Sequence, residues 1–120
     1  MATWRLPASK RRTPDVPARI ACFLAHLAAE KALKALLIDV GVAFPRIHNL
    51  LRLAALLPDP LQEMFDPGDL AQLNPWVIEG RYPDDAIDAS ADVANILVEL
   101  AAKVLASAQR SLLPDDPEEP

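Results

Sequence analysis

The stretch Ala18–Asp39, ARIACFLAHLAAEKALKALLID, contains neither proline nor glycine, follows Asp15 and Pro17, and is closed by Gly41. Proline presets a helical φ at the start of a helix, and glycine accepts the left-handed conformation that ends one. The spacing therefore predicts one helix over these 22 residues, about 33 Å long at 1.5 Å per residue. Ile20, Phe23, Leu24, Leu27 and Ala28 make one apolar stripe along it, and Ala21, Ala25, Ala29, Ala32 and Leu36 make a second stripe of small residues. Two apolar faces predict a central helix.

Past the turn Gly41–Pro45, Leu50, Leu53, Ala54 and Leu57 stand at helical spacing before Pro58. A shorter helix is expected over Ile47–Leu57, folding back on the first. Asp66, Pro67 and Gly68 divide the next segment into two short helical pieces, near Leu61–Phe65 and near Asp69–Glu79, with Pro75 bending or restarting the second. From Ala86 to Leu113 the breakers vanish again, and Val93, Leu97, Leu100, Val104 and Leu112 mark one face of a second long helix. The expected organisation is an irregular basic arm over 1–13, a helical bundle over 14–113 and a disordered acidic tail over 114–120. The fold class is all-α, an up-and-down bundle with two long antiparallel helices and two or three shorter ones.

Composition agrees. A chain of 120 residues has room for one domain. Its residues are 52% hydrophobic but only 5% aromatic, so the core is drawn from Leu, Ala, Val and Ile; with 3 glycines, it lacks the turns an all-β domain needs. Cys22 stands alone, which excludes an internal disulfide and a multi-cysteine zinc site, and His26 and His48 are too few for a metal cluster. Neither metal nor cofactor is expected. Met1–Lys10 lacks the apolar block of a signal peptide, and no uncharged apolar run reaches about 18 residues; a cytoplasmic protein without membrane association is expected. The net charge of −5 hides a gradient, because Arg5, Lys10, Arg11, Arg12 and Arg19 face only Asp15 at the start, while four acids and no base lie in Pro114–Pro120. Bulk charge does not support broad nucleic-acid binding. The basic arm is either a solvated terminus or a contact for phosphates or an acidic partner.

Three clusters carry polar chemistry. Arg19 and His26 are seven apart on the first helix, and His26, Glu30 and Lys34 follow at intervals of four. Imidazole and carboxylate in one stripe can move a proton or orient a phosphate, and a Glu–Lys pair four apart is equally a device for solvating a helix. Phe44, Pro45, Arg46, Ile47, His48 and Asn49 stand where a turn enters a helix. Arg46, His48 and unpaired backbone N–H groups there can receive an anion, or His48 or Asn49 simply caps the helix while Phe44 fills the core. Finally, Glu79, Gly80, Arg81, Tyr82, Pro83, Asp84 and Asp85 join a cation, an aromatic and paired acids in a connecting loop. This is a binding or catalytic cluster, or an Arg81–carboxylate clip with Tyr82 closing the core.

Taken in order, Phe23–Leu36, Phe44–Leu50 and Arg81–Asp84 resemble three motifs of the HEPN family: a Phe-x-Ala-x-x-Ala-Ala-Glu-Lys-Ala-Leu-Lys-Ala-Leu helix, a Phe-Pro-x-x-His-x-Leu turn, and Arg-Tyr-Pro-Asp. The resemblance covers about residues 14–112. It implies a helical bundle that forms a homodimer and is often encoded beside a small nucleotidyltransferase, as a toxin–antitoxin pair or a related complex. It also implies metal-independent RNA cleavage in some members and nucleotide binding in others. Ribonuclease members carry Arg, four to six residues, then His near the start of a late helix; after Arg81 this chain has no histidine. Relatives also commonly have a full helix before the Phe23 motif, and a Gln pair where this chain has His26 and Leu27. The leading expectation is a non-enzymatic, dimerising interaction module with a nucleotidyltransferase partner, its interface including the Ala21, Ala25 and Ala29 face or the Leu97 and Val104 face. The alternatives are an RNA-cleaving toxin using Arg81 with Asp84 or Asp85, or Arg19 with His26, and a nucleotide- or phosphate-binding module using Arg46, His48, Arg81 and Tyr82.

Overall fold

The computed structural model describes residues 17–77 and 90–112, and within them the chain is helical with no strand. Helix α1 spans Ala18–Asp39, as its flanking residues predict. Its end is a Schellman motif: Gly41, at φ +76°, donates its N–H to the Ile38 carbonyl at 3.1 Å, and Val42 donates to Leu37 at 2.9 Å. Val42 then packs on the core, so the chain leaves α1 folded back along it.

The return leads to α2 (Leu50–Ala55), three residues later than the expected start. Asn49 sets that start, because its Oδ1 accepts the Arg52 N–H at 3.1 Å. A single turn, α3 (Asp59–Gln62), follows; Gln62 Nε2 donates to the Ala55 and Leu57 carbonyls at 3.0 and 2.8 Å, closing the end of α2. Helix α4 (Pro67–Leu73) begins earlier than expected, with Asp66 capping the Gly68 N–H and Pro67 in the first turn. Pro75 ends it in a 3-10 turn over Asn74–Trp76. Helix α5 (Ala91–Leu112) starts at Ser90, whose Oγ accepts the Val93 N–H at 3.1 Å.

Helix α5 runs antiparallel to α1, and these two pack against each other more extensively than any other pair of elements. The buried positions of α5, Ala94, Leu97, Ala101, Val104 and Ala108, recur at three and four residues, and α1 answers with Ala25, Ala29, Ala32 and Leu36. Alanines on both sides let the helices approach closely. Along its second half α5 reaches the segment of short helices: Lys103 pairs with Asp69 at 2.9 Å, and near the end Ser111 Oγ donates to Met64 Sδ at 3.2 Å.

The expected stripes of α1 are corrected by this arrangement. The small-residue stripe is core, but the larger one is not: Leu24 is 53% exposed, while Cys22, Leu33 and Leu37 are fully buried in its place. The second neighbour of α1 is the α2–α4 layer, which His26 meets at the Leu73 carbonyl. Ala25, Ala29, Leu97 and Val104 are likewise spent inside the monomer, so they are not the interface the sequence suggested. Gly41→Ala is expected to cost about 1 kcal/mol, through the positive φ, since an added Cβ there meets nothing within 4 Å. Urea denaturation checks this, and Gly41→Asn is expected to cost less.

Candidate functional site

The polar centre of the protein is built on α1, one turn at a time. His26, Glu30 and Lys34 stand four apart; the first two are buried, while the third reaches the surface. His26 is fully buried and Glu30 is 3% exposed. The Glu30 carboxylate gathers three nitrogen-bearing side chains: Lys34 Nζ at 2.9 Å, His48 Nδ1 at 3.0 Å and His26 Nε2 at 3.3 Å. His48 comes from the segment folded back by Gly41, held in place as Phe44 packs on the core beneath the Lys34 ammonium, 5.8 Å from the ring centre.

Burial pushes the Glu30 carboxyl up, but the hydrogen bonds and charges of Lys34 and His48 outweigh it and leave it below its ordinary value. The carboxylate is thus ionised. On the other side of His26, Nδ1 lies 3.0 Å from the Leu73 carbonyl at the end of α4. Since a carbonyl only accepts, His26 Nδ1 carries the hydrogen. Next to Leu73, Asn74 completes the junction: its Oδ1 accepts the Leu50 N–H at 2.8 Å, and its Nδ2 donates to Asn49 Oδ1 at 3.3 Å.

Outside this network the surface is concave. Arg46, His48, Asn49, Arg52 and Asn74 line an open groove of about 350 Å³. Two guanidinium groups, an imidazole and two amides make a surface suited to an anion. Among the described residues, no set of His, Cys, Asp and Glu side chains is arranged to hold a metal ion.

The HEPN domain family matches residues 1–111. The chain belongs to that family. No curated protein and no solved structure matches it.

In this HEPN protein the structure joins two of the sequence clusters, bringing His26, Glu30 and Lys34 to His48 and its neighbour Arg46. Asn49 has the capping role that was one of its two readings. Arg19 takes no part, forming no ion pair among the described residues. Arg81, Tyr82, Asp84 and Asp85 lie outside the described residues. Arg52 and Asn74 were missed by sequence reasoning. Asn74 meets Asn49 across 25 positions, and no local pattern announces such a pair. Among the described residues no helix is long and apolar enough to cross a membrane.

Glu30→Gln is expected to cost about 3–5 kcal/mol at pH 7, the range for removing one partner of a buried ion pair. Because the folded-state carboxyl sits below its ordinary value, its contribution is complete above about pH 4.3 and fades as the pH falls through the lowered value. The gap between the wild type and Glu30→Gln in denaturation experiments is therefore expected to stay constant from pH 6 down to about pH 4.3 and to shrink as the pH falls further.

Proposed function

We propose that this HEPN protein is a dimerising helical interaction module, one component of a nucleotidyltransferase/HEPN pair of the toxin–antitoxin type. The observation that carries the reading is an apolar strip left uncovered on α5. Val93 and Ile96, 37% and 50% exposed, lead to the half-buried Leu100 at spacings of three and four, beside the core positions of the same helix. Leu24 on α1 and Val98 on α5, 53% and 49% exposed, are further apolar side chains left at the surface. Fully covering a side chain such as Ile96 is worth about 1.5–3 kcal/mol, and a second long helix is the natural cover for such a strip. The lack of any histidine after Arg81 supports a role without RNA cleavage. Sedimentation at micromolar concentration is expected to give a dimer that Ile96→Glu converts to a folded monomer, while labelled RNA stays intact. A monodisperse wild-type monomer removes the dimer reading, and cleavage lost in Arg81→Ala or His26→Ala favours the ribonuclease alternative.

A second reading rests on a separate observation, the groove bordered by Arg46, His48 and Arg52. It supports binding of a nucleotide or another phosphate-bearing ligand, in which the guanidinium groups would take the phosphate oxygens. Calorimetry with nucleotides is expected to show binding that weakens at least tenfold in Arg46→Ala and Arg52→Ala; absence of heat at millimolar ligand counts against it.

A further inference from the structure

Arg46 and Arg52 stand exposed on the groove beside His48, and neither guanidinium has a carboxylate partner among the described residues. Lys34 and Lys103, by contrast, each hold one, Glu30 and Asp69, at 2.9 Å. Asn49 and Asn74 add amide groups to the same concavity of about 350 Å³. Such a surface takes carboxylates as readily as phosphates, because a guanidinium offers two parallel N–H groups to either. The sequence supplies carboxylates in one dense run: Asp115, Asp116, Glu118 and Glu119, with no base after Leu113.

We infer that the groove is the docking surface for an acidic peptide, and that its occupant is the C-terminal tail of the same chain. The tail starts on the layer that carries the groove. Helix α5 runs to Leu112, and Ser111 Oγ meets Met64 Sδ at 3.2 Å. Two residues before Met64, Gln62 reaches the Ala55 and Leu57 carbonyls at the end of α2. Arg52 lies about one helical turn, 5.4 Å, before that end. These contacts mark a path from the root of the tail to the groove, and the chain from Leu112 to Glu119, about 23–25 Å long when extended, can follow it.

Pro114, Pro117 and Pro120 restrict φ, so the tail gives up less conformational freedom on docking than a segment without proline. Exposed ion pairs are individually weak. A short tether, however, holds its ligand at an effective concentration on the order of millimolar, which keeps even a weak contact occupied. A phosphate-bearing ligand would then compete with the tail for Arg46 and Arg52. The inference shares its groove with the phosphate reading above but needs no nucleotide, so calorimetry decides that reading and a spin label decides this one.

A nitroxide on Pro120→Cys in the full 15N-labelled chain tests the docking, since Cys22 is fully buried and leaves the new thiol as the one that reacts. The amide signals of Arg46, Asn49 and Arg52 and the side-chain amide of Asn74 are expected to lose at least half their intensity. They are expected to regain it in the double variant Arg46→Glu, Arg52→Glu, and in about 1 M salt, where the screening length falls to about 3 Å. Full intensity at those four positions, losses that survive charge reversal or salt, or losses confined to the first turn of α1 overturn the inference. So do losses in 15N chains without the label when nitroxide-bearing 14N chains are mixed in, which place the tail on a second copy. Should the double variant not fold, the salt titration of the singly labelled chain decides.

Discussion

A single carboxylate placed inside an apolar helical pair is the constraint around which this molecule is arranged. Taking Glu30 out of water costs several kcal/mol unless other groups replace its hydration. Two nitrogens do so by hydrogen bonds, Lys34 Nζ from α1 itself and His48 Nδ1 from the returning segment, with His26 Nε2 lying 3.3 Å away. His26 in turn fastens α4 through the Leu73 carbonyl. Apolar packing alone would let the short helices slide on α1, because hydrophobic burial is not directional. The Glu30 network gives them a register.

The other half of the core follows different physics. Between α1 and α5 the contact is made by alanines and single leucines or valines, with no polar tie among the described residues. Such a seam is close but thin, and it buries only the central strip of α5. The sides of that helix keep Val93, Ile96 and Val98 at the surface. One long helix with two packed sides and another with one packed side explain why the apolar content of the chain exceeds what its own core consumes.

Much of the fold was legible because its signals are local. Pro17 and Gly41 bracket α1 to the residue, since one fixes φ and the other supplies a positive φ, and both act without reference to the rest of the chain. The late start of α2 depended on which polar side chain would cap it, and Asn49 rather than residues 47 or 48 took that role. Which apolar stripe of α1 became core was not legible at all: Leu24 is more hydrophobic than Ala25, but only the alanine side allows α5 to come close. In the site, His26, Glu30 and Lys34 could be grouped from their spacing, as helix geometry puts residues four apart on one side. Their union with His48 and Asn74 is a tertiary event, made by a chain reversal and by amide pairing across more than one helix.

Cys22 lies fully inside the α1 core, and burial pushes its thiol above its ordinary value. Thiol reagents attack the thiolate, so neither access nor ionisation favours reaction while the bundle is closed. With no second cysteine in the chain to confuse the signal, the rate at which Cys22 is alkylated counts the moments when the bundle opens. The protein thus carries its own clock for the breathing of its central helix.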